Sequence, residues 1–577
     1  MIKFVLKRPK KDKIKLSGIF KRGVRAYKML KEREEIIPVK LEAPPFMVAA
    51  PPVVEVPKGI PIGLPAPPLA KIRKEEAEDL TKINIIYPLI SDPETKKPLA
   101  LTNIKWSKAE SALVYYVIEP ELTAPEQALL NEIKSTLIEK LDVDFTRLRK
   151  GEAKKYLKGK FEETVALIAH ALPKEKQTQI LYYIERDFIG LGKIEPFMMD
   201  PNIEDISCDG IGIPIFIYHR NSLIGSVRTN IMYESADELD TFVNKLSQRC
   251  GKSISIAQPI VGASLPDGSR LQATLGTDIA RRGSNFTIRK FTVEPLTPMH
   301  LMKFNTFDAP IVAYLWLATE YNKSSLIAGG VASGKTSMLN ALSLFIKPEL
   351  KVISIEDTAE LRLPHPHWVP AVARQPIAEL EGRKIGEVDM FDLLRETLRQ
   401  RPDFIIVGEV RGREAYVLFQ QIATGHPGIS TIHADTMERL VDRLTTPPIS
   451  LPASLIENLD IVIFLVRIKY GAKYVRRVSN IFEITGFDRE KNIPIINEVF
   501  RWNPVNDTFS TINPSIVLKK ITEQYGVSEE TLQKEIRQRI KILKWMLEKN
   551  ISGYKDFAQV MKLYYAKPEY LFELIGR

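Results

Sequence analysis

The sequence predicts an α/β fold built around a buried, mostly parallel sheet, and three observations carry that reading. Gly329-Gly330-Val331-Ala332-Ser333-Gly334-Lys335-Thr336 matches G-x-x-x-x-G-K-[ST], a phosphate-binding loop. It lies between a strand candidate, 324–328, and a helix candidate in which Met338, Leu339, Ala341 and Leu342 recur at helical spacing. Val352-Ile353-Ser354-Ile355 and Phe404-Ile405-Ile406-Val407 are short, unbroken apolar runs, as strands covered on both faces require. Helical stretches separate these runs, which is the alternation that parallel pairing needs.

The chain has 577 residues, enough for roughly three to five domains. A hydrophobic fraction of 44% and a charged fraction of 27% exclude a disordered or membrane-spanning class. The apolar run Ile461 to Val466 is far short of the ~18 residues of a span. Lysines from Lys7 to Lys15 interrupt the start before a signal-peptide core forms, so the expected location is cytoplasmic. Cys208 and Cys250 are the two cysteines, too few for a disulfide framework or a four-cysteine zinc site.

The net charge of +11 is concentrated at the start, where residues 1–35 hold thirteen Lys or Arg against four Asp or Glu. A basic tail (1–37) of this kind matches anionic lipid headgroups, nucleic acid or an acidic partner, and equally a solvated terminus. A proline-dense stretch (38–80) follows and reads as an extended tether. From about Glu110 to Phe188 apolar residues fall at helical spacing, with Leu129, Leu130, Ile133, Leu137 and Leu141 on one face. Residues 81–190 are therefore expected to form a helical accessory domain without chemistry of its own.

From Pro196 the period shortens, giving strand candidates at Asp205–Ser207, Ile213–Tyr218 and Leu223–Val227 and a helix over Ser235–Arg249. Leu265-Pro266-Asp267-Gly268-Ser269-Arg270 and Asn285-Phe286-Thr287-Ile288-Arg289 each place an arginine at a strand end. By themselves Arg270 and Arg289 read as surface residues beside turns.

The phosphate-binding loop gives the later strands a shared purpose, because ligands of parallel sheets bind beyond the carboxyl ends of the strands. The backbone from Gly329 through Ser337 would wrap phosphate oxygens. In the motif Lys335 reaches the β- and γ-phosphates and Thr336 ligates Mg²⁺. Glu356 and Asp357 end one strand, Gly408 and Glu409 follow another, and His433 ends the next, Thr431-Ile432-His433. Phosphoryl transfer to water needs a metal site, a group that orients or deprotonates the water, and positive charge near the γ-phosphate. Glu409 is assigned metal binding or water activation, Glu356 the complementary role, and His433 hydrogen bonding within the site. The position expected of a metal-holding Asp is occupied by Gly408. His365 and His367 lie among prolines and read as loop packing.

Four ordered runs, GGVASGKT, ISIEDTAEL, RQRPDFIIVGEVRGREA and GHPGISTIHAD, together resemble the Walker A, Asp, Walker B and His boxes of the type II and type IV secretion, pilus and archaellum assembly ATPases, most closely the archaeal branch. The resemblance covers roughly Pro196 to Phe487. It implies a PAS-like α+β domain (191–295), a hinge near Pro295–Pro298, and a RecA-like P-loop ATPase domain (296–500). It implies that ATP and Mg²⁺ sit between the two, with Arg270 and Arg289 stabilising charge in the cleft. Arg395, Arg399, Arg401, Arg411 and Arg413 are further candidates that sequence does not rank.

The same resemblance implies a homohexamer working on a polytopic membrane platform at the cytoplasmic face, with the basic tail near the anionic membrane. An archaellum motor is an alternative. A nucleic-acid translocase is a less favoured one, since no interleaved aromatic and basic strand of the single-strand-binding kind is present. Lacking cysteines after the loop, the chain departs from members that carry a zinc module. Residues 501–577 read as a helical region, in which Ser528 caps a helix bearing Leu532, Ile536, Ile540, Leu543 and Leu547 on one face.

Overall fold

In the computed structural model, residues 80–140, 150–169, 172–221, 223–291, 294–374, 376, 378–380, 383–470, 473–491 and 493–576 are described. The basic tail and nearly all of the proline-rich stretch lie outside them, as does Leu141.

Two nine-stranded sheets organise the described chain. The first is assembled from β1 (Asn84–Ser91), β2 (Pro98–Ser107), β3 (Ala112–Ile118), β4 (Ile203–Cys208), β5 (Pro214–His219), β6 (Ser226–Met232), β7 (Ile260–Ser264), β8 (Arg270–Thr274) and β9 (Asn285–Arg289). Their spatial order is β1-β2-β3-β6-β5-β4-β9-β8-β7. All pairings are antiparallel except β3 with β6, where Tyr115 meets Thr229.

Residues 84–118 are thus strands, which corrects the expectation that 81–190 is wholly helical. In β2, Ala100, Thr102 and Ile104 are buried while their neighbours are not, a period of two. Lys96 and Ser111, both at positive φ, close the flanking turns. Asn230 extends the β3–β6 pairing by exchanging two hydrogen bonds with the Val117 backbone. Tyr87 and Tyr115 both donate to buried Asp200, at 2.6 and 2.7 Å.

Helical spacing holds from Ala124 onward. Helices α1 (Ala124–Lys140), α2 (Lys150–Ile168) and α3 (Lys174–Phe188) bury Leu130, Ile133, Leu137, Leu157, Phe161 and Ile184 in a core of their own. After the short α4 (Glu195–Met199), α5 (Ala236–Arg249) starts where Ser235 accepts a hydrogen bond from the Glu238 amide, and its Leu239, Val243 and Leu246 pack on the first sheet.

The second sheet contains β10 (Ser325–Gly329), β11 (Val352–Glu356), β12 (Trp368–Val372), β15 (Phe404–Val407), β16 (Gly428–Ile432), β17 (Ile461–Tyr470), β18 (Lys473–Asp488), β19 (Ile493–Asn503) and β20 (Thr508–Thr511). Strands β13 (Ala378–Leu380) and β14 (Arg383–Ile385) form a separate hairpin. The order β12-β11-β15-β16-β10-β17 is parallel throughout, and β17 to β20 continue it antiparallel.

Both faces of the parallel part are covered, which explains the unbroken apolar runs. Phe404 and Ile406 enter one core with helices α6 (Pro298–Lys303), α7 (Ala309–Glu320) and α8 (Lys335–Ser343). Ile405 and Val407 enter the other, with α9 (Met390–Thr397), α10 (Glu414–Ala423) and α11 (Met437–Thr445).

The C-terminal helices α12 (Ile516–Tyr525), α13 (Glu529–Glu548), α14 (Tyr554–Ala566) and α15 (Pro568–Gly576) join the α7–α8 side. The sheet runs past residue 500, because Trp502 pairs with Phe509 across a turn, so the helical region begins at Ile516 rather than 501. Ser528 caps α13 as expected, and Leu532 and Leu543 are buried. Arg539 on the same helix is wholly buried, bonded to Glu320 at 2.5 Å and to Glu535 at 3.1 Å, and packed over the rings of Trp316 and Tyr564.

Candidate functional site

The parallel register brings the chemistry to one edge. Strands β10, β11, β15 and β16 end at Gly329, Glu356, Val407 and Ile432, so the phosphate-binding loop, Glu409 and His433 leave the sheet side by side. Gly334 turns the chain into α8 at φ 95°, in the left-handed region that glycine enters without a Cβ penalty. Lys335 is buried and bends back along the loop, its Nζ donating to the carbonyls of Gly329 and Gly330 at 3.1 and 3.0 Å.

Lys335 Nζ is also 3.2 Å from Nδ1 of His433, whose Nε2 lies 3.1 Å from Glu409 Oε1. Burial and the nearby Lys335 charge hold the imidazole below its ordinary pKa, so at neutral pH it is uncharged. Nδ1 accepts from Lys335, whereas Nε2 is close to Glu409 without the alignment of a hydrogen bond, so Glu409 Oε1 is buried without a hydrogen-bond partner. Burial likewise lowers the Lys335 pKa. The other Glu409 oxygen accepts from Arg411 at 2.5 Å. Lys335, His433, Glu409 and Arg411 therefore form one chain of close polar contacts across three strand ends.

Glu356 is buried at the end of β11. Its Oε1 accepts the backbone N–H groups of Glu360 and Leu361 at 2.9 and 3.0 Å. Burial outweighs those bonds and lifts its pKa to about 7. A Cβ at position 408 would sit 3.3 Å from Glu356 Cγ, so glycine stands where an aspartate was expected because the neighbouring glutamate occupies that space.

Facing the loop is a cleft walled on one side by Arg270 and Arg289 of the first sheet with Arg220 and Lys290 just beyond its strand ends, and on the other by Thr336, Ser337 and Asn340. Arg270 lies 3.3 Å from Glu360, and its Nε is buried without a hydrogen-bond partner. Arg289 is half-exposed, 3.6 Å from Glu204. Both expected arginines thus face the loop across the cleft.

Of the five unranked arginines, Arg411 alone touches the Glu409 chain. Arg395 and Arg399 pair with acids on their own turns, Arg413 lies near Asp389 and over Phe391, and Arg401 ends a helical turn at φ 50°. His365 is buried with Nε2 2.9 Å from the Ile346 carbonyl, in keeping with loop packing. Arg476 on β18 was not identified from sequence. Its Nε donates to the Ala332 carbonyl at 3.0 Å, bracing the tip of the loop. Nothing in Lys473–Asn480 signals that contact, since it arises from how β17 and β18 pair.

The donor set suits a phosphate-bearing ligand: an open loop at a helix N-terminus, a lysine, hydroxyls, and a wall of guanidinium groups. Among the described residues no cluster of three or more His, Cys, Asp or Glu could hold a metal ion. Mg²⁺ is commonly held by one or two protein oxygens together with phosphate and water, and Thr336 and Glu409 are the candidates for such a site.

Comparison with known proteins places this architecture. Residues 211–482 match the family described as type II/IV secretion system protein, and residues 505–575 match one described as PilB3-like, C-terminal. The chain is 36% identical over 523 residues to protein MJ0900 of Methanocaldococcus jannaschii, spanning 85% of this chain and 91% of that one. It is 31% identical over 279 residues to the type IV secretion system protein PtlH of Bordetella pertussis, spanning 43% of this chain and 81% of PtlH. The chain belongs to the type II/IV secretion system protein family. Among solved structures it resembles the VirB11 ATPase of the Brucella suis type IV secretion system, at 23% identity and a TM-score of 0.26 over 50% of this chain and 92% of that one. In this family member, the second sheet carries the P-loop and the parallel strand ends that the four boxes implied. Among the described residues no helix is long and apolar enough to cross a membrane.

Proposed function

We propose that this chain is an ATP-hydrolysing motor subunit that drives assembly or secretion of a type IV pilus-like filament, acting as a homohexamer on a polytopic membrane platform at the cytoplasmic face. The observation that carries the reading is the chain Lys335–His433–Glu409–Arg411 at the edge of the parallel sheet, with Arg270 and Arg289 opposite.

Backbone N–H groups of the loop and Lys335 bind the phosphates, and Mg²⁺, when held by Thr336 and Glu409, neutralises phosphate charge. Drawing Lys335 onto phosphate would release the carbonyls of Gly329 and Gly330 and change what His433 accepts, so Glu409 senses occupancy through the imidazole. Glu356, ionised above about pH 7, takes the proton of the attacking water. Arg270 and Arg289 stabilise the charge that gathers on the transferred group. Closing the cleft brings the two walls together, which links hydrolysis to a change of shape.

Phosphate release from Mg·ATP by the purified chain tests this. Turnover is expected to vanish in Lys335→Ala and Glu409→Gln and to be indifferent to DNA. Wild-type rates in both variants would refute the site, and strong stimulation by DNA would favour a translocase.

A further inference from the structure

Arg270 reaches the cleft from β8, yet its nearest charge belongs to the opposite wall. Glu360 Oε1 lies 3.3 Å from Arg270 NH2, and both side chains line the cleft beside Thr336 and Ser337. Glu360 sits in the loop that leaves β11, four residues after Glu356, and its own amide donates to Glu356 Oε1 at 2.9 Å. Two residues on, Arg362 lies 4.6 Å from the ring centre of Phe291, which follows β9 of the first sheet. The loop therefore holds the first sheet by one ion pair and one cation–ring contact, while its backbone holds the candidate base. Arg270 Nε, buried and without a partner, leaves the guanidinium only partly satisfied by Glu360.

We propose that Glu360 is a positioning residue that occupies Arg270 in place of a terminal phosphate, so that a nucleoside triphosphate must displace this carboxylate to engage the arginine and a diphosphate need not. The inference rests on the proposed ATP site. A carboxylate and a phosphate oxygen compete for the same donors, and the competition weakens the ligand that reaches Arg270. Glu360 thereby lowers affinity for triphosphate selectively and keeps Arg270 oriented along the cleft when no phosphate claims it.

The test is calorimetric titration of the full chain with a non-hydrolysable ATP analogue and with ADP, each with Mg²⁺, in wild type, Glu360→Gln, Glu360→Ala, Arg270→Ala and the Arg270→Ala/Glu360→Gln double variant. A partly exposed ion pair contributes about 0.2–1 kcal/mol, so both Glu360 variants should bind the ATP analogue up to about fivefold more tightly, with ADP affinity unchanged. Glutamine keeps the shape of the side chain and both backbone bonds to Glu356, and alanine checks that the added amide is not the cause. In the Arg270→Ala background the gain should disappear. Equal strengthening of ATP and ADP, no change in either, or a gain that survives loss of Arg270 would overturn the proposal. Failure of the wild type to bind the ATP analogue, or binding indifferent to Lys335→Ala, would instead overturn the ATP site itself and the proposal with it.

Discussion

Gly408 and Glu356 show how a single side chain decides its neighbour. The glutamate fills the space beside the strand end, and a Cβ at 408 would press on its Cγ at 3.3 Å. Gly408→Ala should therefore displace the carboxylate by a few tenths of an ångström without unfolding the sheet, lowering kcat roughly tenfold, as small misplacements of reacting groups do. Unchanged circular dichroism together with slowed phosphate release is the expected pair of readings. The same burial gives a pH dependence. Glu356 works as a base only when ionised and its pKa is raised to about 7, so kcat/KM should climb as pH rises through about 7 and level off above it. A profile already flat from pH 5.5 upward would assign the base elsewhere. Sequence marked Glu356, Glu409, His433 and the loop as candidates because each ends an apolar run beside a phosphate-binding motif, and the structure brings them to one sheet edge. It could not rank Arg411 above Arg413, since two positions of spacing after one strand say nothing about which guanidinium turns inward. Arg476 acts through long-range pairing and carried no local mark, and although Glu360 lies within the ISIEDTAEL run, nothing there pointed to its contact with Arg270.

Among elements, those with a strong period were legible and those defined by their partners were not. The strands Val352–Glu356 and Phe404–Val407 and the Ser528-capped helix stand where the apolar pattern put them. Strands 84–118 escaped because helical spacing further on dominated the reading, whereas their alternation takes meaning from pairing with β6. Helix α13 carries a feature that an apolar stripe hides. Arg539 lies inside that stripe, fully buried and bridging Glu535 to Glu320 on α7. Removing one partner of a buried ion pair leaves an uncompensated charge, which costs about 3–5 kcal/mol. Arg539→Met should lower the urea midpoint accordingly, while Arg539→Met with Glu320→Gln and Glu535→Gln should recover much of the loss. A single variant as stable as wild type would show that the helix docks by apolar contact alone.

At the scale of the whole molecule, the first sheet supplies cations and the second supplies the phosphate-binding loop, so neither forms the cleft alone. The fold class, the loop and the family followed from four ordered boxes, because their spacing encodes a sheet edge. The proposed six-fold assembly and membrane partner would be properties of surfaces, and they rest on the family resemblance rather than on the sheet edge. For the basic residues 1–35, which lie outside the described part, binding of the full chain to anionic vesicles should weaken steeply with salt and be lost when residues 1–35 are deleted. Retention by the shortened chain would exclude that segment as the contact.

The most direct measurement is steady-state phosphate release from Mg·ATP by the full chain, compared with Lys335→Ala and with Arg270→Ala/Arg289→Ala. If ATP is hydrolysed between the two walls, the loop variant should be inactive and the double arginine variant should lose at least about a hundredfold, as removal of charge-stabilising donors does. Turnover at the wild-type rate in the arginine variant would show that the first sheet takes no part in the chemistry and would contradict the account.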